Sequence, residues 1–464
     1  MGAVKSKFLK FFTKFSKKKR KPSEEIDCTA LNINSIYVEK VQKISYEPQA
    51  SLNGNKTIFK GKYEEELHAA VTKISVVDYD FKQTKKEIKK IAKKLNRKTL
   101  PDKCKRLISV NQKLICSNEN IVKYFCHEID NETLCIYLAA ELCEHTICDF
   151  IQNKSNFPTL TTKSVILQLV KGVEYLHEIK ILHRNLKPSK VLIKNHQNKA
   201  IVKISGFGVS KCIPDNCSCI SNSGQYGEPG YIAPEIYDAQ QNLPPGTKLN
   251  KCYKNGSDIF SLGAVICYVG SNGNHAFSSQ MDIQNKKPGD FSKFEGGFTL
   301  RVLVRDEMLA HDCKDRPSAK DILRHPALWT STETLDFFHQ TSNILQDKKK
   351  LQMCSIENNT SNVLRGNSWK SHLTSHVKNH LFPPPGMKTG NWSYKRKSVL
   401  SLIRALRNMY EHFHTQPMAV TSDLGSPPDS FLKYWTDKFP ELLMHTYTCM
   451  KVHSSESNMV RFYK

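Results

Sequence analysis

The clearest hydrophobic pattern of the chain lies near its C-terminus. Apolar residues recur there at spacings of three and four, which predicts an amphipathic helix with one buried face. The apolar positions are Val399, Leu402, Ile403, Leu406, Tyr410 and Phe413. On the opposite side Arg404, Asn408 and His412 stand four residues apart, with Arg407 beside them. The pattern alone leaves two interpretations open: a solvated helix face, or a cluster that binds a phosphodiester and transfers a proton through the histidine.

Apolar stretches elsewhere are shorter. The longest of them, around residues 259–269, is too short and too interrupted to cross a bilayer, so we predict no transmembrane helix.

Three segments in the middle of the chain follow one another as in the large lobe of a protein kinase. Residues 231–235 read Tyr-Ile-Ala-Pro-Glu, residues 258–263 read Asp-Ile-Phe-Ser-Leu-Gly, and Arg316 precedes a proline. The first segment resembles the one that closes a kinase activation loop. This resemblance implies a bilobal kinase-like fold in which Glu235 pairs with Arg316.

The positions that carry phosphoryl transfer in that family are changed here. Residues 183–190 read His-Arg-Asn-Leu-Lys-Pro-Ser-Lys, and residues 204–208 read Ile-Ser-Gly-Phe-Gly. Asn185 therefore replaces the aspartate that accepts the substrate proton, Lys190 replaces the asparagine that holds one magnesium ion, and Gly206 replaces the metal-binding aspartate. We predict a kinase frame without kinase activity and without a metal site.

Compared with the kinase family, the nucleotide site expected in the small lobe is also degenerate. The glycine-rich loop would lie over residues 51–61, where Lys56 adds bulk next to the phosphates. Lys73 is the candidate phosphate-binding lysine and Glu87 its candidate ion-pair partner, although purely structural roles explain both equally well. Binding of ATP or ADP is left open.

The C-terminal extension carries the most specific resemblance. Tyr394 and the stretch through Arg407, Asn408 and His412 resemble the kinase-extension nuclease (KEN) family, which includes the sensor kinase/endoribonuclease of the unfolded-protein response and ribonuclease L. Residues 424–429, 439–443 and 445–447 match the same family in order. The resemblance implies a small all-α nuclease whose catalytic residues are Tyr394, Arg407, Asn408 and His412. It also implies cleavage of RNA without a metal or other cofactor, by 2′-hydroxyl attack that leaves a 2′,3′-cyclic phosphate, in a dimer that forms through the kinase-like parts.

The chemistry of these four side chains suits that reaction. An ordinary histidine has a pKa near 6.5, so His412 can protonate the departing 5′-oxygen. Arg407 would stabilise charge on the phosphorane, Asn408 would orient its neighbours or the phosphate, and Tyr394 would contact the 2′-hydroxyl or the phosphate.

The N-terminus is a basic arm. Met1-Gly2 followed by Ser6 fits an N-myristoylation signal at Gly2, and the lysine-rich block 17–21 would add attraction to an anionic membrane. The same block also resembles a nuclear localisation signal, so a cytoplasmic protein at a membrane and a nuclear protein are both open. A formal net charge of +25 favours RNA, DNA or an anionic membrane as partner, or else reflects a solubilising surface. The cysteines are irregularly spaced, which favours reduced thiols.

Together these features predict an α+β chain with four parts. They are an arm over residues 1–30, a kinase-like small lobe over 31–145, a large lobe over 146–330 and a KEN-type domain over 331–464. The predicted function is metal-independent endoribonuclease activity, scaffolded and dimerised by a catalytically dead kinase-like part. The alternatives are a non-catalytic scaffold that dimerises with an active relative, and a weak kinase.

Overall fold

The structure is a computed structural model. It describes residues 39–41, 43–51, 58–75, 110, 118–130, 135–197, 199–215, 217–221, 227–241, 252–383 and 393–464. Gly2, the basic arm and Glu87 lie outside these residues, so lipidation at Gly2 and the ion pair of Glu87 stay predictions.

The small lobe is an antiparallel sheet of six strands in the order β1-β2-β3-β4-β6-β5. The strands are β1 (Glu39–Val41), β2 (Ile44–Ser51), β3 (Ile58–Tyr63), β4 (Leu67–Ser75), β5 (Tyr124–Asp130) and β6 (Cys135–Glu141). Strand β6 is buried at every position because both of its neighbours are strands and both of its faces are covered. Tyr46, Val71 and Tyr137 form the centre of this core.

The large lobe is mainly helical, with short strands near the interlobe region. Its strands are β7 (His145–Thr146), β8 (Ile181–Leu182), β9 (Val191–His196), β10 (Lys199–Ile204), β11 (Lys211–Cys212), β12 (Ile220–Ser221) and β13 (Cys252–Tyr253). Its helices are α1 (Ile147–Gln152), α2 (Thr162–Glu178), α3 (Pro234–Gln241), α4 (Asn255–Gly270), α5 (Gln280–Gln284), α6 (Gly297–Val302) and α7 (Ala319–Arg324). Helix α4 is buried over most of its surface, which explains why its sequence is apolar almost throughout.

Two ionic contacts tie the large lobe together. Arg316 donates to both carboxylate oxygens of Glu235 at 2.9 Å, in the two-pronged geometry that makes such pairs strong. The carboxylate of Asp258 on α4 accepts the backbone N–H groups of His183 and Arg184, both at 2.8 Å. The Glu235–Arg316 pair implied by the kinase resemblance is thus present, and the loop that holds Asn185 and Lys190 is anchored to α4.

The C-terminal part is all-α. Its helices are α8 (Ser331–Ile344), α9 (Lys348–Met353), α10 (Ser375–Leu381), α11 (Val399–Glu411), α12 (Met418–Leu424), α13 (Asp429–Lys438), α14 (Leu442–Met450) and α15 (Val460–Tyr463). They enclose a separate core that contains the fully buried rings of Trp369, Phe431 and Trp435. The ring of Trp329, at the end of the large lobe, lies edge-on to Tyr447 of α14 at a centroid distance of 5.6 Å. The predicted α+β architecture, a kinase-like fold followed by a helical domain, is confirmed.

Helix α11 is the amphipathic helix that the hydrophobic pattern predicts. Val399, Leu402, Ile403 and Leu406 are all at most 1% exposed, and Tyr410 packs against the same core. The helix ends at Glu411, so Phe413 lies beyond it, although it still packs on the core. The N-terminus of α11 is held by Glu357, whose carboxylate accepts the N–H groups of Val399 at 2.9 Å and Leu400 at 3.2 Å.

Replacing Glu357 with alanine is therefore expected to lower the free energy of unfolding of the chain by about 1 kcal/mol, the usual effect of losing a helix cap. Denaturant titration of the two proteins measures the difference. Glu357→Gln is the matched control: it keeps one acceptor oxygen and should fall between them. Equal stability of Glu357→Ala and the parent chain would show that the cap contributes nothing.

Candidate active site

The last turn of α11 and the residue after it present the side chains of the candidate nuclease site. Arg407 and Asn408 lie in that turn, and His412 directly follows the helix. Tyr394 lies ahead of α11, on the segment that leads into it. The segment before α11 folds back along the helix, so that Tyr394 reaches Asn408, which lies 14 residues later in the chain.

Asn408 joins two of the other three side chains. Its amide nitrogen donates to the hydroxyl oxygen of Tyr394 at 2.9 Å. Its amide oxygen accepts from Nε of Arg407 at 3.0 Å and from Nη2 at 2.7 Å. The asparagine therefore fixes both the phenol and the guanidinium.

The sequence pattern placed Asn408 on the polar side of the helix, and that placement is wrong in one respect. The residue is only 5% exposed. A buried amide is stable only when its donors and acceptors are paired, and Tyr394 and Arg407 provide that pairing. We therefore regard Asn408 as a residue that positions its neighbours.

Tyr394 is half-buried against aromatic rings. It lies near-perpendicular to Trp369 at a centroid distance of 6.3 Å and to Phe382 at 6.5 Å. This burial raises the pKa of the Tyr394 phenol, while the bond from Asn408 and the charge of Arg407 oppose the rise. The phenol is therefore neutral at physiological pH. Since its oxygen already accepts from Asn408, its own O–H is directed to other partners.

Arg407 is held from two directions, with only 12% of its side chain exposed. Besides its bonds to Asn408, its Nη1 donates to the side-chain oxygen of Asn343 on α8 at 2.9 Å. The carboxylate of Glu411 lies 3.7 Å from its Nε, and the same carboxylate lies 3.3 Å from Nδ1 of His339. Sequence reasoning missed Asn343, His339 and Glu411. No short-range signal reveals the first two, because they come from a helix more than sixty residues earlier.

His412 is exposed, unlike the other three residues. Its backbone is fixed: its N–H donates to the carbonyl of Asn408 at 3.0 Å, and its own carbonyl accepts from the side chains of Thr415 at 2.9 Å and Gln416 at 3.1 Å. The imidazole therefore projects from a rigid helix end toward solvent. Arg404, on the same predicted ridge, is directed elsewhere and donates to the carbonyl of Leu345 at 3.4 Å.

At the degenerate kinase positions, the side chain of Lys190 occupies the space next to Gly206. Gly206 has a φ of 88°, and a Cβ placed on it would lie 2.5 Å from Cδ of Lys190. The lysine chain thus packs where the side chain of a metal-binding aspartate would begin. Burial lowers the pKa of Lys190, and the neighbouring charge of Lys187 lowers it further. Lys190 and Gly206 supply no side-chain oxygen, and the single amide of Asn185 does not by itself fit a magnesium ion, which is usually held by one or two carboxylates.

Replacing Gly206 with aspartate is expected to lower the free energy of unfolding by about 1–2 kcal/mol, because of the positive φ and the contact with Lys190. In a Lys190→Asn background the contact is removed and only the backbone cost remains. A double-mutant cycle by denaturant titration should give a coupling of about 0.5–1 kcal/mol. Additive effects of the two substitutions would contradict the packing described above.

Lys73 lies on β4, where the kinase resemblance placed it. Its Nζ donates to the hydroxyl of Tyr46 at 3.3 Å and lies 5.3 Å from the ring centre of Tyr137. These contacts give the lysine a structural role in the small-lobe core. They leave its assignment to a nucleotide site a prediction.

Three further sequence expectations concern cysteines, metals and membranes. The expectation of reduced thiols does not hold for every cysteine. Cys219 is disulfide-bonded, whereas Cys212 and Cys217 are free. In the part of the chain that the structure describes, no cluster of three or more His, Cys, Asp or Glu side chains is arranged to hold a metal ion. Within those same residues, no helix combines the length and the apolar character needed to cross a bilayer.

Comparison with known proteins adds the family. The protein kinase domain family matches residues 74–328, more than half of the chain. The chain belongs to the protein kinase family. In this kinase-family chain, residues 334–464 match a second family, Ribonuclease 2-5A. The combination of a kinase domain and a KEN-type nuclease domain that the sequence motifs indicate is therefore present.

Similar proteins share both parts. The serine/threonine-protein kinase/endoribonuclease IRE2 of Homo sapiens is 33% identical over 357 residues, which are 74% of this chain and 36% of that protein. The kinase/endoribonuclease ire-1 of Caenorhabditis elegans is 30% identical over 75% of this chain and 35% of its own length. The sensor for unfolded proteins in the ER ire1 of Schizosaccharomyces pombe is 29% identical over 75% of this chain and 34% of its own length. The chain thus spans about a third of the length of these relatives.

Proposed function

We propose that this protein is a metal-independent endoribonuclease whose site is formed by Tyr394, Arg407, Asn408 and His412. The observation that carries the proposal is the hydrogen-bonded series Tyr394–Asn408–Arg407, with the exposed His412 directly after the same helix and its backbone N–H bonded to the carbonyl of Asn408. The relatives that carry kinase/endoribonuclease in their names support it, as does the match of residues 334–464 to Ribonuclease 2-5A.

Arg407 supplies the charge that a phosphodiester needs. Two of its three guanidinium nitrogens are fixed by Asn408, and the third by Asn343. A planar guanidinium in a fixed orientation binds phosphate oxygens through its remaining N–H groups. Because its position is set before the substrate binds, it can stabilise the extra negative charge of a phosphorane without reorganising.

His412 and Tyr394 have the two remaining roles, as proton donor and as hydrogen-bond donor. In the proposed reaction the 2′-oxygen of a ribose attacks the adjacent phosphorus, the bond from phosphorus to the 5′-oxygen breaks, and His412 protonates that oxygen. The raised pKa of Tyr394 keeps its phenol neutral. It therefore acts as a hydrogen-bond donor to the phosphate or the 2′-hydroxyl, and the 2′-hydroxyl proton passes to water. The products are a 2′,3′-cyclic phosphate and a 5′-hydroxyl.

Cleavage of a stem-loop RNA by the full chain in excess EDTA tests the proposal against the scaffold alternative. We expect cleavage at a rate equal to that with magnesium, since none of the four residues offers the carboxylate oxygens that magnesium prefers. An inactive chain over a wide range of protein concentrations, with and without added magnesium, would favour the non-catalytic scaffold.

We further propose that the kinase-like part is catalytically dead and supports dimerisation. The proposal rests on Asn185, Lys190 and Gly206, and on the contact of the lysine chain with Gly206. The Glu235–Arg316 pair and the Asp258 anchor preserve the lobe, which a dimerising surface requires. Incubation with labelled ATP should give no autophosphorylation, and incorporation of label would overturn this part of the proposal.

Dimerisation predicts how activity depends on protein concentration. At low concentration, where monomers dominate, the cleavage rate per chain is expected to rise in proportion to total protein, and to level off as dimers saturate. Sedimentation at the same concentrations measures the dimer fraction. A constant rate per chain from the monomeric to the dimeric range would show that one protomer is sufficient.

A further inference from the structure

We propose that Cys449 and Cys354 form a peroxide-reactive thiol pair in the C-terminal domain, with Cys449 as the nucleophile and Cys354 as the resolving thiol. This site is separate from the candidate nuclease residues. Cys449 lies near the end of α14, and Cys354 directly follows α9. Two segments 95 residues apart in sequence thus place their cysteines side by side.

The geometry around Cys449 is that of an activated thiolate. Nε2 of His445, one helical turn earlier, donates to the carbonyl of Ile356 at 2.8 Å and lies 3.8 Å from the sulfur of Cys449. The hydroxyl of Ser355 lies 3.6 Å from the same sulfur. The thiol of Cys354 lies beside Cys449 and donates to its backbone carbonyl at 3.5 Å. Cys449 is half-buried, so a molecule as small as hydrogen peroxide can approach its sulfur.

The proton arrangement follows from these contacts. The neighbouring Cys354 thiol, together with the contacts from His445 and Ser355, lowers the pKa of Cys449 well below that of an ordinary thiol, although burial opposes the shift. The bond to Cys449 raises the pKa of His445, and the bond to Cys449 together with burial raises the pKa of Cys354. Cys449, which Ser355 and His445 contact, is therefore favoured as the thiolate, and Cys354, whose thiol donates to a carbonyl, is favoured as the protonated partner. Low-pKa, accessible thiolates next to a second cysteine are the ones that react selectively with peroxide.

Cys354 is placed to resolve the product. It is 7% exposed, and its sulfur lies 3.5 Å from the carbonyl oxygen of Cys449 and 4.0 Å from the sulfur of Met450. Its burial restricts the access of bulk reagents, while Cys449 is its direct neighbour. This arrangement favours an internal disulfide over further oxidation of Cys449.

The chemistry balances with hydrogen peroxide as the oxidant. The thiolate of Cys449 attacks one peroxide oxygen, the O–O bond breaks, and the departing hydroxide takes a proton from solvent to leave as water. Cys449 is then a sulfenic acid. The sulfur of Cys354 attacks it after giving its proton to solvent, the S–O bond breaks, and the leaving hydroxide takes up a proton to leave as a second water. Two thiols are oxidised to one disulfide, and one peroxide is reduced to two waters.

Cys354 lies close in sequence to the residue that holds the N-terminus of α11. The carbonyl of Ile356 accepts from His445 at 2.8 Å, and Glu357, three residues after Cys354, holds the N-terminus of α11. The segment that carries the resolving thiol thus runs directly into the cap of the helix that presents Arg407 and Asn408.

The test uses the full chain treated with a small excess of hydrogen peroxide, followed by blocking of free thiols and peptide mass spectrometry. We expect a Cys354–Cys449 disulfide. In Cys354→Ser the disulfide should be absent, and Cys449 should be trapped as a sulfenic acid by dimedone. In Cys449→Ser both products should be absent. His445→Gln keeps a donor to the carbonyl of Ile356 but no cation, and should form the disulfide about tenfold more slowly, since less of Cys449 is thiolate.

The exposed thiol of Cys217 is the internal control in the same digests. Oxidation of Cys217 as fast as that of Cys449, or wild-type chain without the linked peptides, would overturn the proposal. The wild-type measurement does not depend on the folding of any variant, and none of these results depends on ribonuclease activity.

Discussion

Replacing His412 with alanine is expected to lower the rate of RNA cleavage by about 10²- to 10⁴-fold, the usual contribution of a general acid. His412 is the exposed member of the site and follows the rigid end of α11, where its backbone N–H is bonded to Asn408. No other titratable side chain of the four is suited to protonate a leaving 5′-oxygen near neutral pH, because Arg407 stays charged and the pKa of Tyr394 is raised. The measurement is single-turnover cleavage of a stem-loop RNA.

His414→Ala is the matched control for this substitution. His414 is also exposed and lies two residues further on, where its ring is edge-on to Phe413 at 5.8 Å. The account expects its cleavage rate to stay within about twofold of the parent, since a surface substitution away from the site changes little. Equal losses in the two variants would mean that general damage to this turn, and not proton transfer by His412, lowers activity.

Replacing Arg407 with alanine should lower the cleavage rate by about 10²- to 10³-fold, as for loss of a preorganised donor to a developing oxyanion. The loss of rate should persist in single-turnover kinetics at saturating RNA, because the charge is needed most in the transition state. Arg407→Lys should recover little of the activity. A lysine has one nitrogen, which cannot bond Asn408 and Asn343 together as the guanidinium does.

Arg404→Ala separates this role from a general loss of positive charge. Arg404 is on the same helix, one turn earlier, and its bond goes to the carbonyl of Leu345. We expect a modest decrease in RNA affinity and an almost unchanged rate at saturation. If Arg404→Ala and Arg407→Ala lowered that rate equally, Arg407 would act only through the general electrostatic attraction of RNA.

Much of this site could be predicted from sequence because its residues are close together along the chain. The 3.6-residue period fixes α11, and the resemblance to the KEN family assigns roles to Tyr394, Arg407, Asn408 and His412. The period could not reveal that Asn408 is buried, because that depends on Tyr394 folding back over it. The contact of Asn343 with Arg407 could not be predicted either, because it joins residues 64 apart in the sequence.

In the kinase-like part, too, some features could be predicted from the sequence and others could not. Its motifs predict the Glu235–Arg316 pair, since both residues lie in segments whose family role is fixed. They also identify Asn185, Lys190 and Gly206 as departures from the kinase pattern. That Lys190 packs against Gly206 is a matter of side-chain conformation, which follows from the positive φ of the glycine and the absence of its Cβ. No one-dimensional pattern encodes such a contact.

The most direct measurement of the central claim uses the nucleophile itself. After the cleaved bond of a stem-loop RNA has been mapped, the same RNA is synthesised with a single 2′-deoxyribose on the 5′ side of that bond, and both are incubated with the full chain in EDTA. The account predicts that the all-ribose RNA yields a 2′,3′-cyclic phosphate and a 5′-hydroxyl, and that the substituted RNA is not cut at that bond. Cleavage of the deoxy-substituted bond, or products that end in a 5′-phosphate, would contradict it.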